Sequence, residues 1–142
     1  RVFDAVLYAD VLEHIEDDGA ELSAAAKLLA FGGHLIVLAP ALPHLYSAFD
    51  GAVGHYRRYT RRRLRRITPT GLELIRLESL DSVGLLASAL NRTILRQAMP
   101  TPRQIAVWDR WLIPAARVLD PIVARRFGRS ILAVWKRPEV AS

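Results

Sequence analysis

Two short apolar runs separated by a helical stretch and a pair of glycines most constrain what this chain can become. Phe3 to Ala9 (FDAVLYA) is apolar and bounded by charges, which reads as a buried strand. Asp10 to Asp18 (DVLEHIEDD) is polar and acidic and leads into an Ala/Leu-rich segment, Gly19 to Ala30. There Leu22, Ala25, Ala26 and Leu29 fall at helical spacing, and Asp17 and Asp18 suit the positive end of a helix dipole. Gly32-Gly33 is expected to stop the helix, since glycine accepts the left-handed geometry of a C-cap. His34 to Ala39 (HLIVLA) then forms a second buried strand, ended by Pro40. Strand, helix and strand make one βαβ unit, which implies parallel strands joined by a right-handed crossover.

Beyond this unit the chain changes character. Pro40 to Thr60 is a long polar-aromatic connection, and loops of that length usually carry function. Thr60 is placed to cap a short arginine-rich helix, Arg61 to Ile67, and Pro69-Thr70-Gly71 is a turn. Leu72 to Leu80 (LELIRLESL) alternates apolar and polar with period two, as a half-exposed strand does. Val83 to Phe127 is helical in pattern and interrupted by prolines, and Ser130 to Lys136 (SILAVWK) is a final strand. No run of apolar residues is long enough to span a bilayer as a helix.

With 142 residues, 51% of them hydrophobic and 24% charged, the chain has the composition of one globular domain. The absence of cysteine excludes disulfides, thiolate metal sites and a cysteine nucleophile. The net charge is +6, and all basic residues except Lys27 and Lys136 are arginine. Such an excess favours phosphate-bearing partners, although an arginine-biased genome accounts for it equally well. The chain opens on Arg1-Val2-Phe3-Asp4 with no secretory pattern, and the expectation is a longer protein that starts upstream, cytoplasmic in location.

The order of strand, D-x-LEH, helix, GG and strand resembles the second half of the class I S-adenosylmethionine-dependent methyltransferases. The matching residues are Asp10-Val11-Leu12-Glu13-His14 and Leu28-Leu29-Ala30-Phe31-Gly32-Gly33. Gly54-His55-Tyr56-Arg57-Arg58-Tyr59-Thr60 is similar to the G-H-x-R-R-Y-T stretch of one subgroup. The resemblance covers residues 3–80 most clearly and the final strand more weakly. It implies an α/β fold: the C-terminal part of a seven-stranded Rossmann-like methyltransferase sheet. Residues 3–9, 34–39, 72–80 and 130–136 would be strands four to seven, the last antiparallel, with a helical insert at 83–127. The whole chain would be a single partial domain, N-terminally truncated. Its missing half would hold the glycine-rich loop and the ribose-binding acid, and no G-x-G-x-x-G occurs in these residues.

The resemblance implies S-adenosyl-L-methionine as cofactor and a small-molecule methyl acceptor. Ligands of such sheets sit beyond the carboxyl ends of the strands, which assigns Ala9, Asp10 and Val11 to the cofactor. Asp10 also reads as a helix N-cap, with Glu13 completing a capping box. His14 reads as a general base near neutral pH or as a pocket residue without proton transfer. His55 with Arg57, Arg58 and Tyr59 is assigned to the acceptor side, His55 as the second catalytic candidate. A structural alternative stands beside this: Arg57 pairing with Asp50, and Tyr59 filling the core. No His/Asp/Glu set shows metal-ligand spacing, so no metal is expected. The insert, with Trp108 and Trp111 among arginines, reads as a lid or as an amphipathic contact with a membrane surface. Nucleic-acid binding through the arginines of 61–66 ranks behind both, because no aromatics interleave with them.

Overall fold

The computed structural model describes residues 2–80, 106–107, 110–111, 114 and 128–139. Nearly all of the 83–127 segment, and with it the expected lid, lies outside the described residues. By internal contacts the chain divides into a unit of residues 1–78 with 131–142 and a second unit of residues 79–130. The candidate site and all of the sheet except residues 79, 80 and 130 belong to the first.

Strand β1 (Phe3–Ala9) leads through a 3-10 turn (Leu12–His14) to helix α1 (Asp18–Lys27) and strand β2 (Leu29–Pro40). After a loop holding the short helix α2 (Ala48–Ala52) come helix α3 (Arg61–Arg66), strand β3 (Glu73–Leu80) and strand β4 (Ser130–Lys136). The sheet order is β1-β2-β4-β3, so the last strand inserts between β2 and β3. β1 and β2 are parallel, with Val6 opposite Leu35 and Tyr8 opposite Val37. The start of β2 meets the end of β4 instead: the Gly32 amide donates to Arg137 O and the Arg137 amide to Gly33 O. The sheet is therefore mixed, as expected of an antiparallel last strand. All four strands foreseen in the sequence are present.

Helix α1 begins where expected, with the Asp17 carboxylate accepting from the Ala20 amide at 2.9 Å. Leu22, Ala25 and Ala26 bury one face against Leu35, Val37 and Ala39 of β2 and Ile131, Ala133 and Trp135 of β4. The Trp135 indole donates to Thr68 Oγ1 at 3.0 Å, which fixes the largest core side chain to the end of α3. On the other side of the unit, the Tyr8 hydroxyl donates to Glu21 at 2.6 Å and ties β1 to α1. Burial, with that carboxylate beside it, pushes the Tyr8 hydroxyl up to about 12.

Two expectations need correcting. β1 is not a buried strand: Leu7 is 63% exposed and Phe3 43%, because β1 is an edge strand among the described residues. An apolar run reports that a strand is covered on both faces only when neighbours exist to cover it. The glycine pair is not a helix cap either. α1 ends at Lys27, and Gly32 and Gly33 lie within β2. Gly32 has φ +77°, and a Cβ on Gly33 would stand 2.8 Å from Ala30 O and 3.1 Å from Phe3 O. Those neighbours are backbone and cannot rotate away, so the pair marks an irregularity in the β1–β2 register rather than a chain reversal. Gly33→Ala is expected to cost about 1–3 kcal/mol by this overpacking, read from the urea unfolding midpoint.

Candidate functional site

The carboxyl ends of β1 and β2 open on the same side, and two sequence-distant motifs meet there. Beyond Ala9 the backbone turns sharply at Asp10, whose φ of +51° is left-handed, while the Asp10 amide donates to Leu38 O at 2.9 Å. Beyond Pro40 the backbone turns again at Leu42, with φ +64°. Left-handed conformations are uncommon for residues other than glycine, and such strain gathers at functional sites. The loop then returns, forming a parallel bridge between Ala41 and Tyr59.

The stretch Gly54–Thr60 docks on the turn Leu12–His14 nearly residue by residue. Gly54 adopts φ +85°, which a side chain would resist. The Tyr56 amide donates to Glu13 O at 2.8 Å. The Arg57 guanidinium donates to Ile15 O at 2.8 Å and Glu16 O at 2.6 Å. Tyr59 is fully enclosed, and its hydroxyl reaches both Leu12 O and Asp18 Oδ2 at 3.0 Å. Thr60 caps α3 by accepting from the Arg63 amide.

Two buried carboxylates hold this assembly. Asp50 accepts from the Ser47 amide and hydroxyl at 2.9 Å, and from Arg58 Nε at 2.8 Å and Nη2 at 3.0 Å. Burial alone would raise the Asp50 carboxyl, but the hydrogen bonds from Arg58, His55 and Ser47 hold it well below the usual carboxylate range. Asp18 accepts from Arg63 at 2.8 and 2.9 Å, with Arg57 Nη1 at 3.3 Å. Burial again opposes ionisation there, and Arg63, Tyr59 and Arg57 outweigh it and lower the Asp18 carboxyl.

At the centre stand Glu13, His14 and His55. Their ligand-capable atoms all lie within 4.8 Å of one another. The His14 and His55 rings meet edge to face with centroids 4.7 Å apart. His55 Nδ1 lies 3.0 Å from Asp50 Oδ1, and its Nε2 lies 3.9 Å from Glu13 Oε1. Because Asp50 is held as a carboxylate, which only accepts, Nδ1 carries a proton toward it. Glu13 is only 1% exposed, and its Oε2 has no hydrogen-bond partner. Burial pushes the Glu13 carboxyl upward, and the Asp10 charge adds to this against the pull of His55 and His14.

The two predicted catalytic residues, His14 and His55, are thus brought together at the mouth. Ala9, Asp10 and Val11, assigned to the cofactor, are exposed at the carboxyl end of β1 and just beyond it. Asp10 is not a helix cap: the 3-10 turn has no side-chain cap, and Val11 stands in the capping position. Arg57, Arg58 and Tyr59, assigned to the acceptor side, each have partners within the chain. Arg58, not Arg57, pairs with Asp50, Arg57 is occupied by main-chain carbonyls, and Tyr59 is core. These three organise the loop. Glu13 and Asp18 were missed as site residues. For Asp50 the signal was the Ser47-x-x-Asp50 spacing of a capping box, whereas nothing local distinguishes Asp18 from its neighbour Asp17.

The mixed α/β sheet, with β1 and β2 parallel and β4 between β2 and β3, has the arrangement of the Rossmann-like class I methyltransferase fold. Comparison with solved structures bears this out. The chain is similar to a SAM-dependent methyltransferase from Archaeoglobus fulgidus (TM-score 0.55, 15% identity, covering 95% of this chain and 59% of that one). It is also similar to Haemonchus contortus phosphoethanolamine N-methyltransferase 2 in complex with S-adenosyl-L-methionine (TM-score 0.52, 16% identity, 96% and 34% covered). The [4+2]-cyclase SpnF shares the fold as well (TM-score 0.54, 16% identity, 98% and 51% covered). The chain spans between about a third and two thirds of the length of the structures it resembles. No family model matches it. No curated protein matches it either.

Proposed function

We propose that this chain is part of an S-adenosylmethionine-dependent methyltransferase acting on a small molecule, of which a lipid-linked or sugar-containing precursor is one class. The observation that carries the reading is the position of Glu13, His14 and His55 at the carboxyl ends of β1 and β2, where sheets of this kind bind their ligands. Ala9, Asp10 and Val11 fit one edge of a cofactor pocket: they are exposed, two have short apolar side chains, and the left-handed turn at Asp10 opens the strand end. S-adenosylmethionine bound there supplies an electrophilic methyl group on sulfur. His55, aligned by Asp50, is placed to take a proton from the acceptor atom, and His14 lines the same space. Enclosure of the acceptor by the loop 40–60 would do the rest of the work, by positioning.

The edge of β1, unpaired among the described residues, leaves room for three further strands that complete a seven-stranded sheet and bring the glycine loop. Within the same reading the protein is cytoplasmic. No helix among the described residues is long and apolar enough to cross a membrane. Titration calorimetry of the full-length protein with S-adenosylhomocysteine is the test. Saturable heat, and about 2.7 kcal/mol of added stability at a hundredfold excess over Kd, are expected. No heat and no protection from thermal unfolding would overturn the reading.

A second reading is favoured by the resemblance to SpnF, a cyclase by its description. The fold then serves binding or another chemistry, and this chain is a non-catalytic module. Cofactor binding without methyl transfer to any acceptor would be its signature. A nucleic-acid role for α3 finds less support, because Arg63 is committed to Asp18.

A further inference from the structure

The Glu13 carboxylate poses a problem that methyl transfer alone does not solve. It is buried, one of its oxygens has no partner, and its nearest polar neighbour in an ion pair is His55 at 3.9 Å, beyond hydrogen-bonding range. An orphaned buried carboxylate oxygen costs about 1–3 kcal/mol or more, so its retention beside two imidazoles asks for a ligand. We infer that Glu13, His14 and His55 form a binding site for one first-row divalent metal ion, Zn²⁺ by preference, with an open coordination position facing the mouth.

The chemistry of the donors sets the class of ion. Two imidazoles and one carboxylate suit zinc and its transition-metal neighbours, whereas magnesium and calcium prefer all-oxygen sets. With metal–ligand bonds of about 2.0–2.2 Å, tetrahedral ligands stand ~3.4 Å apart. The present spread of up to 4.8 Å therefore needs only a modest contraction. His14 is exposed and touches the site through the His55 ring edge, and Glu13 is already buried. The Asp50–His55 contact supplies the outer-shell carboxylate that metal-binding histidines usually have, and it leaves Nε2 as the donor. Three protein ligands leave the fourth position open, as in catalytic rather than structural zinc sites.

Metal binding does not depend on the methyltransferase reading. Only its use does: an ion there would lower the pKa of an acceptor hydroxyl, whose proton would then pass to solvent rather than to His55. The experiment separates the two, because it contains no S-adenosylmethionine. Tag-free full-length protein is titrated with Zn²⁺ by calorimetry, and with Co²⁺ by its visible absorption. One ion per chain is expected, with the intense absorption of tetrahedral cobalt. Glu13→Gln, His14→Ala and His55→Ala should each weaken binding about 10–100-fold, while His44→Ala, at an exposed loop position, leaves it unchanged. Millimolar Mg²⁺ should not displace the ion. Circular dichroism establishes that each variant is folded. If Glu13→Gln unfolds, His14→Ala, at the surface, decides alone. Folded protein that binds no Zn²⁺, or binds it equally well after His14→Ala, overturns the inference.

Discussion

Replacing Asp50 by Asn is expected to lower the unfolding free energy by about 3–5 kcal/mol, the usual result of removing one partner from a buried ion pair. Asp50 is fully buried, and the Arg58 side chain is 9% exposed. The amide keeps the shape of the carboxylate, so the loss comes from charge. One guanidinium would remain enclosed without its counter-ion, and the Ser47 and Arg58 donors would compete for one carbonyl oxygen. The check is urea unfolding followed by circular dichroism, with a double-mutant cycle through Arg58→Gln. Strong sub-additivity is expected, since both substitutions break the same bond. Additive effects would mean that the Arg58–Asp50 pair is not what holds the loop. Because Asp50 also aligns His55, the variant should bind Zn²⁺ more weakly even under conditions where it remains folded.

The second large effect concerns Asp18 and pH. Its carboxyl is lowered in the folded chain, whereas an unfolded aspartate titrates near 3.9. A depressed folded-state value means that the folded chain binds its proton less readily than the unfolded one. The stabilisation is therefore complete above the unfolded value and is lost as pH falls through the folded one. Acid should loosen the contact between α1 and α3 in that window, below about pH 4. Asp18→Asn should destabilise the chain at pH 7 and flatten this part of its acid-unfolding curve. Unfolding midpoints at pH 7, 4 and 3 for both proteins check it. An unchanged slope in Asp18→Asn would show that other carboxylates govern the acid transition. Tyr59→Phe offers a milder probe of the same centre, because it removes both of the hydroxyl's contacts, with Leu12 O and with Asp18, while leaving Asp18 paired with Arg63.

The strands, α1 and α3 were legible because each carries its own periodic pattern and cap. Thr60 caps as the sequence suggested, and Asp17, read only as complementing the helix dipole, caps as well, since an N-cap depends on neighbours three residues away. The glycine pair misled for the opposite reason. A glycine forced by a close approach of another strand looks the same in sequence as one that ends a helix, and only the register of β1 against β2 distinguishes them. The site was half legible. The motifs around His14 and His55 identified the right neighbourhood, but the partners of Arg57, Arg58 and Tyr59 are set by how the loop 40–60 folds back. Adjacent residues such as Glu13 and His14 cannot share one face of a regular helix. Here the helix is a single turn, and His55 arrives from the loop to meet both.

Asp10 and Leu42 give the mouth a conflict of interests. Each holds a left-handed backbone at the end of one of two adjacent parallel strands. For a branched residue such as Leu42 that geometry costs about 1–2 kcal/mol, which glycine would recover. The same glycine would widen the conformational choice of the segment that carries His55 into place. Heat tolerance and ligand geometry thus pull on position 42 in opposite directions. An engineer seeking a hardier chain would find the easiest gain where it does most harm, and would do better to work on the far side of the sheet.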